Sequence, residues 1–159
     1  MPSLSSPAFP DDDGSADPVV LDALETYRTS GDLRPALGAL TRGRVLVPVV
    51  AVLDGEPAPE GSDKRAEMAA VLMTGRDGRT ALLAFTCTDA MNRWDPDARP
   101  VPVPFGQAAE AARAEDAAAV VVDVGGPVTA VVSGDDLAQA ADGNVLARTD
   151  LGYAWVART

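Results

Sequence analysis

Apolar residues recur with a helical period in the first part of the chain and then gather into short continuous runs. The period predicts a helix over residues 18–29, with Asp17 or Ser15 as its N-cap, and a second over 33–41. The run 45–53 is continuous and rich in Val, as in a strand covered on both faces. Pro48 lacks an amide donor, so the pattern predicts a sheet edge or a bulge at that position.

Later residues alternate between apolar runs and turn signals. Runs 67–74 and 80–86 flank Asp77-Gly78, which predicts a hairpin, and residues 54–63 are polar and read as a loop. A short helix over 89–94, capped by Thr88, leads to a proline-punctuated extended segment at 101–103. Helices are predicted over 107–114 and 136–141, and two strands, 117–124 and 127–132, flank the turn Gly125-Gly126.

This element order predicts the α+β class. We expect a mixed, mainly antiparallel sheet of about five or six strands with helices packed on it. Residues 1–16 are rich in Ser, Pro and Asp, which predicts a disordered or extended tail whose aspartates are solvated. Residues 17–143 would form one domain, and residues 144–159, with the alternating sequence GYAWV, a tail or an added strand.

The charge of the chain restricts its partners. The formal net charge is −11 over 159 residues, and no basic stripe is present. Such a surface repels phosphate backbones and anionic lipids, so we expect neither nucleic-acid nor membrane binding. It favours solubility and an encounter with a protein partner that has a basic surface. The N-terminus lacks the pattern of a secretory signal, which predicts a cytoplasmic protein.

The residue inventory argues against several kinds of catalysis. The chain has no histidine, so no Ser–His or Cys–His dyad can form. Its single cysteine, Cys87, excludes an internal disulfide and a cysteine-based metal site, and its apolar neighbours predict a small buried side chain. No phosphate-binding glycine motif occurs. We therefore expect a non-enzymatic protein without catalytic, metal-ligating or cofactor-binding residues.

A surface candidate lies between the short helix and the prolines. Trp94 stands among Arg93, Asp95 and Arg99, a tryptophan with charges of both signs next to a rigid turn. This composition is typical of protein interaction hot spots. In the alternative interpretation, Trp94 covers the core and Arg99 pairs with Asp95 or Asp97.

Asp123 is a second candidate, because it ends an apolar strand. A carboxylate at that position either shapes the hairpin turn beside Gly125 or faces a cleft. The second interpretation leads to an alternative function, a small-ligand binder or a carboxylate-based enzyme that uses Asp95, Arg99 and Asp123. A third alternative is a homodimer formed through an edge strand or the GYAWV segment.

The central residues also resemble a known family. The passage 64–104, including ALLAFTCTDAMNRWDPDARPVPV, is similar to the N-terminal domain of SseB-type proteins, the enhanced serine sensitivity family. The segment AAAVVVDVGGPV and the helix after it continue the resemblance to about Ala141. The resemblance implies an α+β domain with a regulatory or protein-interaction role and no established catalytic residues.

Overall fold

The computed structural model of the protein describes residue 9 and residues 11–52 and 67–158. The predicted loop at 54–63 lies outside these residues. The helices are α1 (Pro18–Ser30), α2 (Arg34–Arg42), α3 (Thr88–Trp94), α4 (Phe105–Ala114) and α5 (Gly134–Ala141). The strands are β1 (Arg44–Val52), β2 (Glu67–Ala70), β3 (Leu72–Thr74), β4 (Thr80–Ala84), β5 (Arg99–Pro104), β6 (Ala119–Val122), β7 (Ala130–Ser133), β8 (Val145–Thr149) and β9 (Gly152–Val156).

The α+β class is confirmed, but the strands of the described residues form three small sheets where the sequence predicted one. The first has the order β2-β1-β5 and is antiparallel, and the second has the order β3-β4-β6-β7 with β4 and β6 parallel. Strands β8 and β9 form a separate hairpin over the segment predicted as a tail or an added strand. One bridge joins the first two sheets, because Leu46 and Phe85 exchange both backbone hydrogen bonds, at 2.7 and 2.8 Å.

Pro48 does not lie at an edge, because β1 is the central strand of its sheet, and it does not lie in a bulge, because the pairing of β1 with β5 runs unbroken from Arg44 to Val49. Backbone groups of alternate residues point to the same side of a strand, so Pro48 points to the side on which Leu46 bonds Phe85. On that side the neighbour of β1 changes from Phe85, opposite Leu46, to β2, which starts its pairing at Val49. The missing donor of Pro48 falls at this change of neighbour, where no ladder bond has to be made.

The prolines of β5 have the same explanation. Val45, Val47 and Val49 point away from the Phe85 side and pair with residues 103, 101 and 99 of β5. Pro100, Pro102 and Pro104 therefore point outward and offer no amide donor along the free side of β5. An edge is where a sheet tolerates prolines, and the missing donors make this edge a poor template for a further strand.

Two apolar cores hold together the elements that the structure describes. In the main core, α1, α2, α4 and α5 pack around buried side chains that include Leu37, Leu40, Phe105 and Val120. A smaller core lies under α3 and consists mainly of Leu46, Leu83, Phe85, Met91 and Val121. Each fully buried side chain of this size contributes about 1.5–3 kcal/mol. The scarcity of aromatic residues is met by small side chains that let α4 and α5 approach closely, where a Cβ on Gly106 would lie 3.0 Å from the carbonyl oxygen of Ala140.

Candidate functional site

The carboxyl ends of the parallel strands β4 and β6 meet next to the smaller core, and Asp123 follows β6 there. Its side chain is buried, with 6% of the residue exposed. The Oδ1 atom accepts a hydrogen bond from the amide of Thr86 at 2.8 Å, and Oδ2 accepts one from the Thr86 hydroxyl at 2.7 Å. Both carboxylate oxygens therefore bind the residue that connects β4 to α3.

The backbone of Asp123 is constrained as well. Its φ of 58° is left-handed, a region that Asp tolerates better than most residues. The amide donates to the carbonyl of Ala84 at 2.9 Å, and the carbonyl accepts from Gly126 at 3.0 Å and from the Thr129 hydroxyl at 3.0 Å. Asp123 thus shapes the β6–β7 turn, as one interpretation of the sequence predicted, and also ties that turn to the start of α3.

Burial raises the pKa of Asp123 above 3.8, its ordinary value. The two hydrogen bonds from Thr86 and the nearby positive charge of Arg93 act in the opposite direction and lower the pKa. Arg93, from the sequence-predicted surface, thus makes the smallest of the contributions that lower the pKa of Asp123.

Cys87, and not Thr88, is the N-cap of α3. Its Sγ atom accepts from the amide of Ala90 at 3.4 Å, and the side chain is half-buried. The predicted Thr88 cap is wrong, because Thr88 is the first residue of the helix and its amide bonds the carbonyl of Gly14 at 2.8 Å. The expected burial of Cys87 is also wrong, since the capping position lies at the rim of the smaller core.

Trp94, at the end of α3, packs over the smaller core. Its ring centroid lies 5.6 Å from that of Phe85, with the planes tilted by 34°. The side chain is half-buried, so part of the indole remains accessible while the rest covers the core. Tilted aromatic pairs of this kind add about 0.5–1.5 kcal/mol to the burial energy. Trp94 therefore has the packing role that the sequence offered as the alternative to a hot spot.

The remaining residues of the predicted surface follow α3 in a tight turn. The amide of Asp95 donates to Met91 at 2.8 Å, and its Oδ1 atom accepts from the amide of Asp97 at 2.9 Å, so Asp95 organises the turn. Arg93 and Arg99 are exposed, and Arg99 begins β5 opposite Val49. Within the described residues, Arg99 forms no ion pair with Asp95 or Asp97. We call Arg93, Trp94, Asp95 and Arg99 the α3–β5 corner.

An ion pair that the sequence did not indicate anchors residues 12–15 beside Thr86 and the start of α3. The guanidinium of Arg44 pairs with both carboxylate oxygens of Asp12 and donates to the carbonyls of Thr86 and Ser15, each at 2.6 Å. The side chains of Arg44 and Asp12 are only 13% and 12% exposed. Asp12 is thus not a solvated residue of a tail, as was expected for the acidic run. Hydrogen bonding to Arg44 holds the pKa of Asp12 below 3.8.

A cavity of about 340 Å³ opens next to this ion pair. Its polar lining comes mainly from Asp11, Asp12, Asp13, Asp17 and Arg44.

Across the residues that the structure describes, no group of three or more potential ligands is arranged to hold a metal ion. Among the same residues, no helix has both the length and the apolar character needed to cross a bilayer.

These observations define an α+β domain. At the carboxyl end of the parallel strands β4 and β6, Asp123 and Thr86 are hydrogen-bonded to each other, and the short helix α3 and the proline-rich strand β5 follow from this point. The family model described as "SseB protein N-terminal domain" matches residues 20–139, which is more than half of the chain. The chain therefore belongs to the SseB family, as its central residues suggested. Comparisons with curated proteins and with solved structures found no match.

Proposed function

We propose that this SseB-family domain is a non-catalytic cytoplasmic module that regulates a protein partner by binding it through the α3–β5 corner. The observation that carries this proposal is that Asp123 is buried and that both of its carboxylate oxygens are already hydrogen-bonded inside the protein. A general acid, a base or a carboxylate ligand must present an oxygen to its substrate. Both oxygens of Asp123 instead accept hydrogen bonds from Thr86 inside the protein.

The other carboxylate of the alternative proposal is also used structurally. Asp95 ends α3, and its side chain accepts from the backbone of the turn that follows. An enzyme that uses Asp95, Arg99 and Asp123 would have to release both carboxylates from these hydrogen bonds before they could act on a substrate. The small-ligand and carboxylate-enzyme hypothesis is therefore the second choice.

The α3–β5 corner has the features of a protein-binding surface. Arg93 and Arg99 are exposed cations, and the half-buried ring of Trp94 lies beside a turn fixed by Asp95. A rigid surface loses little entropy on binding, and arginine and tryptophan are the residues that most often dominate interface energies. The two arginines call for acidic groups on the partner at this contact, while the net charge of −11 favours long-range encounter with a partner that is basic elsewhere on its surface.

A comparison of surface variants tests this proposal. Arg93→Glu together with Arg99→Glu reverses two exposed charges and leaves the Trp94 packing intact. We expect the variant to fold normally and to lose, by at least about tenfold, capture of a protein that wild type retains from a cell extract, since two hot-spot charges contribute more than about 1.4 kcal/mol. Bound proteins are quantified by mass spectrometry.

The matched control is Arg76→Glu with Arg79→Glu, which reverses two exposed arginines in the β3–β4 hairpin. The control should retain the partner at the wild-type level, because the change in net charge is the same and only the surface differs. Equal retention by the corner variant and the control would exclude the corner as the binding surface. Equal loss would show that net charge governs capture, which also contradicts the proposal.

A further inference from the structure

Residues 12–15 lie across the start of α3, and we call them the strap. The Asp12 side chain accepts a hydrogen bond from the amide of Gly14 at 2.8 Å, and the Asp13 side chain accepts one from the amide of Ser15 at 2.9 Å. Such contacts, from an aspartate to the backbone two residues further on, shape a turn. The strap is therefore a turn whose own side chains fix its backbone.

One arginine ties the strap to the connection between β4 and α3. Arg44, at the start of β1, pairs with Asp12 and donates a hydrogen bond to the carbonyl of Ser15 at 2.6 Å. The same guanidinium donates to the carbonyl of Thr86, also at 2.6 Å. Hydrogen bonds from a charged donor are stronger than those between neutral groups. Arg44 is thus the main anchor of the strap on the domain.

The strap also caps α3 at close range. The carbonyl of Gly14 accepts from the amide of Thr88, the first residue of the helix, at 2.8 Å. A Cβ on Gly14 would lie 2.0 Å from the Thr88 Oγ1 atom, and the φ of Gly14 is +81°, so glycine is required at this contact. The second cap, the Sγ atom of Cys87, is a weak acceptor at 3.4 Å. Of these two caps, the strap has the stronger acceptor and makes the shorter hydrogen bond.

Thr86 separates the backbone that the core fixes from the backbone that depends on the strap. Asp123 binds the amide and the hydroxyl of Thr86 and so holds the end of β4. The helix that follows has only seven residues, and a helix shorter than about 12–15 residues is marginal by itself. Its buried side chains are Ala90 and Met91. The order of α3 therefore depends on two sets of contacts, this packing and the strap.

We infer that the strap is a conformational device that holds α3 on the smaller core. With the strap bound, α3 is ordered; when the strap detaches, α3 opens locally while the rest of the domain stays folded. The α3–β5 corner loosens with the helix, because Trp94 is the last residue of α3. The consequence for partner binding rests on the function proposed above, whereas the opening of α3 is a property of the protein alone and is tested without a partner.

Amide hydrogen exchange of the full chain, followed by NMR, tests this inference. The reporters are the amides of Met91 and Asp95, which donate to the carbonyls of Cys87 and Met91 at 3.2 and 2.8 Å. Gly14→Ala removes no hydrogen-bonding group but places a methyl group against Thr88, so the strap should detach. We expect both reporters to exchange at least about tenfold faster than in wild type.

Gly78→Ala is the matched control. Gly78 has nearly the same φ, +80°, but among the described residues a Cβ there would meet nothing within 4 Å beyond its chain neighbours. The control therefore adds similar backbone strain in the β3–β4 turn, and this strain is the same with the strap bound or detached. The reporters should exchange at the wild-type rate. Equal acceleration in both variants would show that α3 opens only when the whole domain unfolds, which overturns the inference, as would an unchanged rate in Gly14→Ala.

A second variant separates loss of the strap from the effect of the new methyl group. Asp12→Asn weakens the anchor on Arg44 and leaves Gly14 and Thr88 as they are. Exchange of the same reporters should become at least about threefold faster, because the charged pair is lost. Acceleration in Gly14→Ala alone would mean that the methyl group disturbs Thr88 directly, and that result would also overturn the inference.

Discussion

Replacement of Asp123 probes the connection between β6 and α3. In Asp123→Ala, the amide and the hydroxyl of Thr86 lose their acceptors inside the protein. An unsatisfied buried donor costs about 1–3 kcal/mol. Alanine at a φ of 58° adds about 1–2 kcal/mol, because its Cβ crowds the carbonyl in the left-handed region. The free energy of unfolding should therefore fall by about 2–5 kcal/mol.

Asp123→Asn is the matched control. Asparagine adopts left-handed backbone almost as readily as aspartate, and its Oδ1 atom can still accept from the Thr86 amide. Its amide group can donate to the Thr86 hydroxyl, which reverses that bond without breaking it. We expect a change below about 1 kcal/mol in urea unfolding followed by tryptophan fluorescence. Equal destabilisation by Ala and Asn, or none by either, would refute the role assigned to the hydrogen bonds.

The comparison of wild type with Asp123→Asn also predicts how the free energy of unfolding depends on pH. Burial raises the pKa of Asp123 in the folded state above 3.8. The folded state therefore favours the protonated form of Asp123. The resulting contribution to the free energy of unfolding is fully present below about pH 3.8 and is lost as the pH rises through the pKa of the folded state. The free energy of unfolding of wild type, relative to Asp123→Asn, should be higher at about pH 4 than at about pH 8. The opposite trend would show that the hydrogen bonds outweigh burial.

Three further predictions concern other contacts. Asp12→Asn should lower the free energy of unfolding by about 1–3 kcal/mol at neutral pH, because it removes the ion pair with Arg44. The loss should vanish in acid, since the depressed pKa of Asp12 limits the contribution of its carboxylate to stability to pH values above that pKa. Gly38→Ala should lower the free energy of unfolding by about 1–2 kcal/mol, because the new Cβ would lie 3.0 Å from the Leu146 carbonyl oxygen and this crowding outweighs the better helix propensity of alanine. Chemical denaturation measures the net change. Trp94→Ala should cost about 2–4 kcal/mol and Trp94→Phe less than half of that, as thermal unfolding can show.

The elements with local signals were predicted well from the sequence. The Asp17 cap of α1 accepts from the Val19 amide, and Gly78 has the positive φ that the predicted hairpin turn requires. The parallel pairing of β4 with β6 and the split of the predicted strand at Val71 have no local signal. The chain leaves the first sheet after Ala70, and the carbonyl oxygen of Val71 already accepts a hydrogen bond from the amide of Leu83 in the second sheet.

The candidate site depended on contacts between residues far apart in sequence. Thr86 and Asp123 are separated by 37 positions, and Asp12 and Arg44 by 32. A polar residue after an apolar strand gives no indication of which partner will satisfy it. Sequence reasoning therefore identified Asp123 as notable but could not find Thr86, and it gave no reason to pair Arg44 with the acidic run.

Site-specific photocrosslinking tests the proposed binding surface most directly. A photoreactive amino acid replaces Asp97 in the turn between Asp95 and Arg99, and in a control protein it replaces Arg76 in the β3–β4 hairpin; both positions are exposed. The proposal predicts a discrete crosslinked partner from position 97 in cells and none from position 76. Crosslinking to the same proteins at equal yield from both positions, or from neither, would contradict a binding function of the corner.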